Sequence, residues 1–289
     1  MRQEVIIVDE KDLERKVKSF KNDGVDKLHV LADFDKTLTN LFLPNGKKVN
    51  SLISIIRNGP YLGKEYSDKA NALFDIYHSI EVDPAISLQV KKKKMYEWWD
   101  KHFSLLGESG LSKKVIEKCT GDILDKDLIV LRKGVDNFFY TMENNQIPIV
   151  IISSSIGDLI KEFLIKKKLI LDNVHVLANE LSYDKKGNFI GVKDIVHVFN
   201  KDETSVKDHP EIFKKIEKRK NVLLLGDSLG DVGMIEGFNY DNLIKIGFYN
   251  DDEEGDLKDY KKNFDVILTG DQDFNYVNKL VKKLGVYRK

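Results

Sequence analysis

Two carboxylates separated by one residue, Asp33 and Asp35, directly follow an apolar run from Leu28 to Ala32, and a hydroxyl follows at Thr37. An apolar run of this length is typical of a buried strand in a parallel sheet. Acids at the carboxyl end of such a strand lie where open α/β sheets bind their ligands. The spacing alone is equally compatible with a strand that runs into an acidic surface loop.

Two later apolar runs also end in residues that could bind ligands. Residues 147–152 lead into Ser153-Ser-Ser-Ile-Gly-Asp158, and residues 221–225 lead into Gly226-Asp-Ser-Leu-Gly-Asp231. Because parallel strands end at one edge of a sheet, these acids and hydroxyls gather in one cleft. Several carboxylates at close range raise one another's pKa unless a cation lies between them. Mg²⁺ fits this environment, since it prefers oxygen ligands and usually shares its site with a phosphate.

Two positions could bind that phosphate. Ser153 is predicted to head a helix, and the free backbone N–H groups of a helix N-terminus favour an anion. Lys201 lies one helix before the third strand, so it can reach back over the same edge and supply a cation. Considered alone, Lys201 would be one solvated lysine among many. The three strand ends together predict a site for Mg²⁺ and a phosphate.

Strands and helices alternate in the elements that must position these residues, except in one central stretch. Helices are predicted at 9–21, 134–145, 157–168 and 210–218, strands at 28–32, 147–152, 174–178, 221–225, 243–248 and 264–268, and a hairpin at 181–192. This order predicts an α/β fold, a Rossmann-like, doubly wound and mostly parallel sheet with helices on both faces.

The stretch from Ser51 to about Leu131 shows no convincing buried strand. Helices are predicted there at 67–80, 86–103 and 112–124. We therefore expect residues 44–129 to form an inserted helical cap, and residues 1–43 plus 130–289 to form the α/β core. The run Lys91–Lys94 is interpreted as a solvated helix face.

Composition excludes several classes of protein. The 289 residues carry 47 basic and 47 acidic side chains, so the chain lacks the excess of positive charge that is typical of nucleic-acid-binding proteins. The single cysteine, Cys119, excludes an intramolecular disulfide and fits a reducing compartment. No apolar run approaches the ~18 residues that span a bilayer. We expect a cytoplasmic monomer with a small-molecule substrate and no membrane or nucleic-acid partner.

The motifs resemble those of the haloacid dehalogenase superfamily of phosphohydrolases. The four matching motifs are Asp33-Phe-Asp35-Lys-Thr37-Leu, Ser153, Lys201 and Gly226-Asp227-Ser-Leu-Gly-Asp231. Segments that resemble cytosolic 5′-nucleotidase III, the pyrimidine 5′-nucleotidase group, are Glu81-Val-Asp83-Pro84, Glu97-Trp-Trp99, Ile156-Gly-Asp158, His197-Val-Phe-Asn-Lys201 and Leu243-Ile-Lys-Ile-Gly247. The resemblance covers about residues 25 to 285 and implies a Mg²⁺-dependent 5′-nucleotidase whose cap selects the substrate.

The resemblance also implies the catalytic roles. Asp33 would attack phosphorus and form an aspartyl-phosphate, and Asp35 would act as general acid and then as general base. Mg²⁺ would be held by the Asp33 carboxylate, the Asp35 backbone carbonyl and Asp227. The remaining implied roles are phosphate binding by Ser153, Ser154 and Lys201, orientation of the nucleophile loop by Thr37, and a water-mediated contribution from Asp231.

The resemblance places base recognition in the cap. Glu81 would accept hydrogen bonds from the exocyclic amine of cytosine or from the N1–H and N2–H groups of guanine. Adjacent helix positions point about 100° apart, so at most one of Trp98 and Trp99 faces the base, and Trp99 is favoured as the stacking residue. The sequence departs from the family pattern at two positions: His102 replaces a substrate-contacting serine, and Ser155 replaces a smaller residue.

These departures leave the substrate open. Pyrimidine nucleoside monophosphates such as UMP and CMP are the first candidate. The alternative is 7-methylguanosine monophosphate, whose positively charged base would gain a cation–π contact with Trp99 and a charge-assisted pair with Glu81. Another haloacid dehalogenase phosphomonoesterase, acting on phosphoserine or a sugar phosphate, is also possible. A non-catalytic nucleotide-binding protein would lack Asp33, Asp35, Lys201 or Asp227, and all four are present.

Overall fold

A computed structural model describes residues 2–49, 51–83, 85–201, 206, 209–236, 239–250 and 256–287 of the chain. Pro84, which belongs to one of the matching segments, lies outside this range. Within it, no helix is long and apolar enough to cross a membrane.

A seven-stranded sheet in the order β1-β9-β8-β7-β2-β3-β4 occupies the centre of the molecule, and β5 and β6 form a separate hairpin. The strands are β1 (Val5–Ile7), β2 (Leu28–Ala32), β3 (Ile149–Ile156), β4 (Val174–Asn179), β5 (Leu181–Tyr183), β6 (Phe189–Val192), β7 (Asn221–Gly226), β8 (Asn242–Tyr249) and β9 (Val266–Thr269). Only the β1–β9 pair of the large sheet is antiparallel among the described strands. The predicted α/β fold with a mostly parallel sheet is confirmed.

The helices surround this sheet and fill the long connection between β2 and β3. They are α1 (Glu10–Asp23), α2 (Leu52–Asn58), α3 (Lys64–Val82), α4 (Leu88–Glu108), α5 (Lys113–Asp125), α6 (Val135–Asn144), α7 (Gly157–Lys166), α8 (Pro210–Ile216), α9 (Leu257–Asn263) and α10 (Asn275–Lys283). Among the described residues, Val25–Lys27 and Leu229–Ile235 form 3₁₀ helices.

Strand β2 lies between β3 and β7, and all five of its residues are buried. Val30 and Ala32 pack into the core on one face of the sheet, whereas Leu31 packs into the core on the other face. Burial on both faces explains the uninterrupted apolar run in the sequence. Because Ala32, the last residue of β2, is paired with Ile151 of β3 and Leu225 of β7, Asp33, Ser153 and Asp227 follow within two residues of the same level of the sheet.

Helices α2 to α5, which we call the cap, lie between β2 and β3 in the chain and contact the β5–β6 hairpin. The Phe103 and Phe189 ring centroids lie 6.4 Å apart, and the Lys113 N–H donates to the Gly187 carbonyl at 3.0 Å. At Gly107, a Cβ atom would lie 3.3 Å from the Phe189 ring, which makes glycine the best fit in this interface. The hairpin therefore packs against α4. The Asp-Lys-Lys-Gly-Asn turn in the sequence predicted this hairpin.

Candidate active site

Asp33 is the first residue after β2, and its N–H donates to the Leu225 carbonyl of β7 at 3.0 Å. The chain turns sharply after Phe34, whose carbonyl accepts hydrogen bonds from the N–H groups of Leu38 and Thr39. Lys36 adopts a left-handed backbone with φ 61°, which is uncommon for a residue with a side chain. This turn allows the carboxylates of Asp33 and Asp35 to serve the same cleft despite their spacing.

Lys201 reaches back over the edge of the sheet and lies between two acids. Its Nζ atom is 2.5 Å from Asp33 Oδ1 and 3.0 Å from Asp231 Oδ1, and all three side chains are buried. Burial raises the pKa of Asp33 to about 6, although the charge of Lys201 opposes this shift. Burial lowers the pKa of Lys201, but the charges of Asp231 and Asp33 outweigh it and raise that pKa above its usual value.

Asp33, Asp227 and Asp231 form a cluster whose ligand oxygens all lie within 4.8 Å of one another. The Thr37 hydroxyl donates to Asp227 Oδ1 at 3.3 Å. Asp231 Oδ2 accepts hydrogen bonds from the Ser228 N–H and Oγ, both at 2.9 Å. The first of these bonds, together with the bond that the Ser228 side chain accepts from the Asp231 N–H, forms the capping box of the 3₁₀ helix after β7. Asp33 and Asp231 are buried and Asp227 is partly buried, and a donor set composed only of carboxylate oxygens fits a hard cation such as Mg²⁺.

Asp35 lies beside this cluster and points toward the cap. Its Oδ1 atom accepts a hydrogen bond from the Leu52 N–H, the first residue of α2, at 3.1 Å. Burial raises the pKa of Asp35 to about 7, and the negative charge of Asp33 adds to this shift. A carboxyl group with a pKa near neutrality can both donate and accept a proton at physiological pH.

The prediction that Ser153 heads a helix was wrong. β3 continues to Ile156 through a bulge between Ile152 and Ile156, and α7 begins only at Gly157. The side-chain amide of Asn179 stabilises the bulge by donating to the carbonyls of Ser154 and Ser155 at 2.8 and 3.2 Å.

Ser153 directly follows Ile152, the last regularly paired residue before the bulge, and Ser153 Oγ accepts from the Ser155 N–H at 3.2 Å. The buried Ser155 Oγ has no hydrogen-bond partner within the described ranges. Asp158, which we had grouped with the cleft acids, instead accepts from the Leu181 N–H and the Tyr183 hydroxyl, so it holds the hairpin.

Arg132 is a buried residue that sequence reasoning missed. Its Nε donates to the Thr37 carbonyl at 2.9 Å, and its Nη2 donates to the Lys36 carbonyl and to Asn250 Oδ1. Its Nη1 forms a salt bridge with Asp271 at 2.9 Å. Arg132 therefore fixes the turn that separates Asp33 from Asp35. Nothing in its local sequence marks it, because its partners come from three distant parts of the chain.

Glu81 lies in the last turn of α3, near the segment that carries Lys201. Its Oε2 atom is 3.1 Å from His78 Nδ1, and its backbone carbonyl accepts from Lys91 Nζ at 2.7 Å. Lys91 Nζ also lies 5.7 Å from the centre of the Phe199 ring. The cap thus touches the segment of Lys201, and Lys91 is not the solvated side chain that the sequence predicted.

Trp99 and His102 are both buried inside the cap, with 7% and 2% of each residue exposed. Their ring centroids are 5.8 Å apart, and His102 Nε2 is hydrogen-bonded to the Tyr66 hydroxyl at 3.0 Å. Burial, with a further contribution from the charge of Arg57, lowers the pKa of His102 to about 3, so the imidazole is neutral. Trp98 is more exposed than Trp99 and stacks parallel to Tyr77.

Comparison with known proteins agrees with this geometry. The family model of pyrimidine 5′-nucleotidase (UMPH-1) matches residues 36–285. The chain is 34% identical over 276 residues to 7-methylguanosine phosphate-specific 5′-nucleotidase A of Xenopus laevis, covering 95% of this chain and 93% of that protein. It is 33% identical over 270 residues to the 7-methylguanosine phosphate-specific 5′-nucleotidase of Homo sapiens, with coverages of 93% and 88%.

A solved structure matches along nearly the whole chain. The crystal structure of cytosolic 5′-nucleotidase IIIB bound to cytidine has a TM-score of 0.87 and 26% identity, and the match covers 97% of this chain and 93% of that one. The match includes the inserted helices as well as the sheet, which confirms the resemblance predicted from the motifs. The chain belongs to the pyrimidine 5′-nucleotidase family and is a phosphomonoester hydrolase, a 5′-nucleotidase of the haloacid dehalogenase type.

Proposed function

We propose that this enzyme hydrolyses pyrimidine nucleoside 5′-monophosphates such as UMP and CMP, with Mg²⁺, through an aspartyl-phosphate on Asp33. The observation that carries the proposal is the buried contact of Lys201 with Asp33 and Asp231 at the carboxyl ends of β2 and β7. A nucleophilic carboxylate, a cation for phosphate oxygens and an acidic metal site are then present in one cleft.

Mg²⁺ would be held by the Asp33 carboxylate, the Asp35 backbone carbonyl and Asp227. When bound, it would neutralise charge on the transferring phosphoryl group. Asp231 has both carboxylate oxygens engaged by Lys201 and by the Ser228 capping box, so its role is to position these groups. Thr37 orients Asp227 in the same way.

The residues of the chain divide the reaction into two steps. Asp33 attacks phosphorus while Asp35, protonated, gives its proton to the leaving ester oxygen of the nucleoside. Asp35 then takes a proton from the water that hydrolyses the phospho-enzyme. Ser153, the backbone of Ser154 and Lys201 bind the phosphate oxygens during both steps.

Base recognition is assigned to the cap. Glu81 would accept hydrogen bonds from the base and Trp99 would stack on it, with His102, whose ring lies 5.8 Å from that of Trp99, as a further contact. We retain residues 44–129 as the cap and residues 1–43 plus 130–289 as the core. The monomeric state and the cytoplasmic location are further predictions.

A second candidate substrate is 7-methylguanosine monophosphate. It is favoured by Trp99, whose indole face could stack on the cationic base, and by the named activity of the Xenopus and human relatives.

Phosphate release from UMP, CMP, 7-methyl-GMP, AMP and phosphoserine, with Mg²⁺ or with EDTA, tests the proposal. We expect release from pyrimidine nucleotides that requires the metal, and none from Asp33→Asn. Release from phosphoserine alone would indicate a different phosphatase. Turnover that survives Asp33→Asn would exclude the proposed nucleophile.

A further inference from the structure

Arg57 is a buried cation in the helical cap. It lies on α2, and only 7% of the residue is exposed. Its Nε atom is buried and makes no hydrogen bond, and no ion pair of the guanidinium is found in the described part of the chain. The guanidinium carbon lies 4.0 Å from the centre of the Phe74 ring, and the charges of Tyr66 and Asp75 stabilise the guanidinium from beyond ion-pair distance. Because a buried N–H group without an acceptor is costly, this arrangement favours a ligand that accepts a hydrogen bond from Arg57.

The position of Arg57 connects the phosphate site to the proposed base site. α2 begins at Leu52, whose N–H contacts Asp35, and Arg57 follows about 7.5 Å further along the helix axis. The charge of Arg57 also reaches His102, where it adds to the effect of burial on the imidazole. Since the rings of His102 and Trp99 are 5.8 Å apart, the guanidinium is close to the residues that we propose to bind the base.

Arg57 and Glu81, which carry opposite charges, lie at the two ends of a stripe of side chains along α3. Phe74, His78 and Glu81 share a face of this helix, because they are spaced by four and three residues. The Phe74 and His78 rings stack with their centroids 4.7 Å apart, and His78 contacts Glu81. Arg57 lies over the Phe74 end, so a base on this stripe meets a hydrogen-bond donor at one end and an acceptor at the other.

We propose that Arg57 selects the base, donating hydrogen bonds to the carbonyl oxygen of an uncharged base and repelling the cationic 7-methylguanine. This inference rests on the proposed nucleotidase function and deepens it. The favoured substrates are nucleoside 5′-monophosphates whose neutral base carries a carbonyl group, as in CMP and UMP. The N–H groups of a guanidinium suit a carbonyl oxygen as acceptor, whereas the base of AMP has no carbonyl group.

The test measures kcat/KM of wild type and Arg57→Met with CMP, 7-methyl-GMP and p-nitrophenyl phosphate, which has no base. We expect the value for CMP to fall about 10- to 100-fold, because a hydrogen bond from a charged group is lost. The value for 7-methyl-GMP should stay equal or rise, and the value for p-nitrophenyl phosphate should change less than twofold. The ratio of CMP to 7-methyl-GMP turnover should therefore fall at least tenfold.

Two further variants separate selectivity from packing. Arg57→Lys keeps the charge and should retain the discrimination against 7-methyl-GMP, while losing part of the CMP rate. Phe74→Leu removes the ring under the guanidinium but leaves the charge, so it should not reverse the substrate preference. Arg57→Met should unfold at the same or a higher urea concentration than wild type, because replacing an unpaired buried cation with a hydrophobic side chain is often neutral or stabilising.

The outcomes distinguish this inference from the function on which it rests. A wild-type enzyme that cleaves p-nitrophenyl phosphate but no nucleotide overturns both. CMP turnover by wild type with an unchanged CMP to 7-methyl-GMP ratio in Arg57→Met overturns the role of Arg57 alone. Equal losses on all three substrates, together with lower stability, would make Arg57 a packing residue of the cap.

Discussion

Replacing Lys201 by methionine should expose the repulsion that this lysine offsets. Asp33 and Asp231 present oxygens within 4.8 Å of each other, and Lys201 contacts both. At an effective dielectric constant of about 20, two negative charges at that distance repel by about 3.5 kcal/mol, equivalent to roughly 2.5 units of pKa. Without metal, the variant should therefore lose about 3–5 kcal/mol of unfolding free energy at pH 8.

The loss should depend on pH and on metal in a defined direction. At pH 5.5 the acid pair can take up a proton, so the destabilisation should be smaller than at pH 8. Added Mg²⁺ should restore part of the stability by supplying positive charge between the carboxylates. Urea unfolding in EDTA and in Mg²⁺ at the two pH values measures both effects, with circular dichroism to confirm that the variant is folded.

Lys193→Met provides the matched control, since Lys193 is exposed and belongs to the same region of the chain. Its stability should stay within about 0.5 kcal/mol of wild type. With Mg²⁺, Lys201→Met should lower kcat/KM about 10²- to 10³-fold, because a fixed positive charge near the phosphate is lost. Equal stability of the two variants in EDTA at pH 8 would refute the electrostatic argument.

Three other predictions concern the proton-transferring acid Asp35, the buried Arg132 and the base-recognising Glu81. In EDTA, the unfolding free energy of wild type relative to Asp35→Asn should fall as pH rises from about 5 to 8, because the folded pKa of Asp35 is about 7, above its ordinary value of 3.8. Taking the difference between the two proteins cancels the opposite trend that the buried histidines cause in both. A difference in unfolding free energy that rises with pH would contradict the raised pKa of Asp35. Arg132→Lys keeps the charge but loses the guanidinium N–H groups that hold the turn after Phe34. We therefore expect kcat to fall more than KM changes, and urea unfolding to show a loss of about 2–4 kcal/mol in unfolding free energy. An unchanged kcat would show that the turn keeps its conformation without Arg132. Glu81→Ala should reduce kcat/KM for CMP at least tenfold and leave p-nitrophenyl phosphate hydrolysis nearly unchanged; equal losses would remove Glu81 from base recognition.

The strands that carry the site could be read from the sequence because their burial is uniform. β2, β3 and β7 are covered on both faces, so each appears as a continuous apolar run that ends in polar residues. β1 was missed, since it has three residues and depends on β9, whose partner residues lie more than 250 positions away. α2 was also missed, because seven residues with an apolar run do not distinguish a helix from a strand.

Details of the site that depend on distant partners could not be read in this way. The bulge that separates Ser153 from the start of α7 depends on Asn179. Arg132 is recognisable only when the turn after Phe34 and the segment near Asp271 are placed around it. Sequence patterns report local periodicity and burial, whereas these side chains are selected by hydrogen-bonding groups that only the folded chain brings together.

The hydrogen bond between Asp35 and the first N–H of α2 links proton affinity to the position of the cap. This bond opposes the effect of burial on the carboxyl group, because an N–H donor favours the ionised form. By thermodynamic reciprocity, the ionised carboxylate must in turn hold α2 more tightly than the protonated acid does. In the proposed reaction, transfer of a proton from Asp35 to the leaving nucleoside would therefore strengthen this hydrogen bond to α2, and uptake of a proton from water would weaken it.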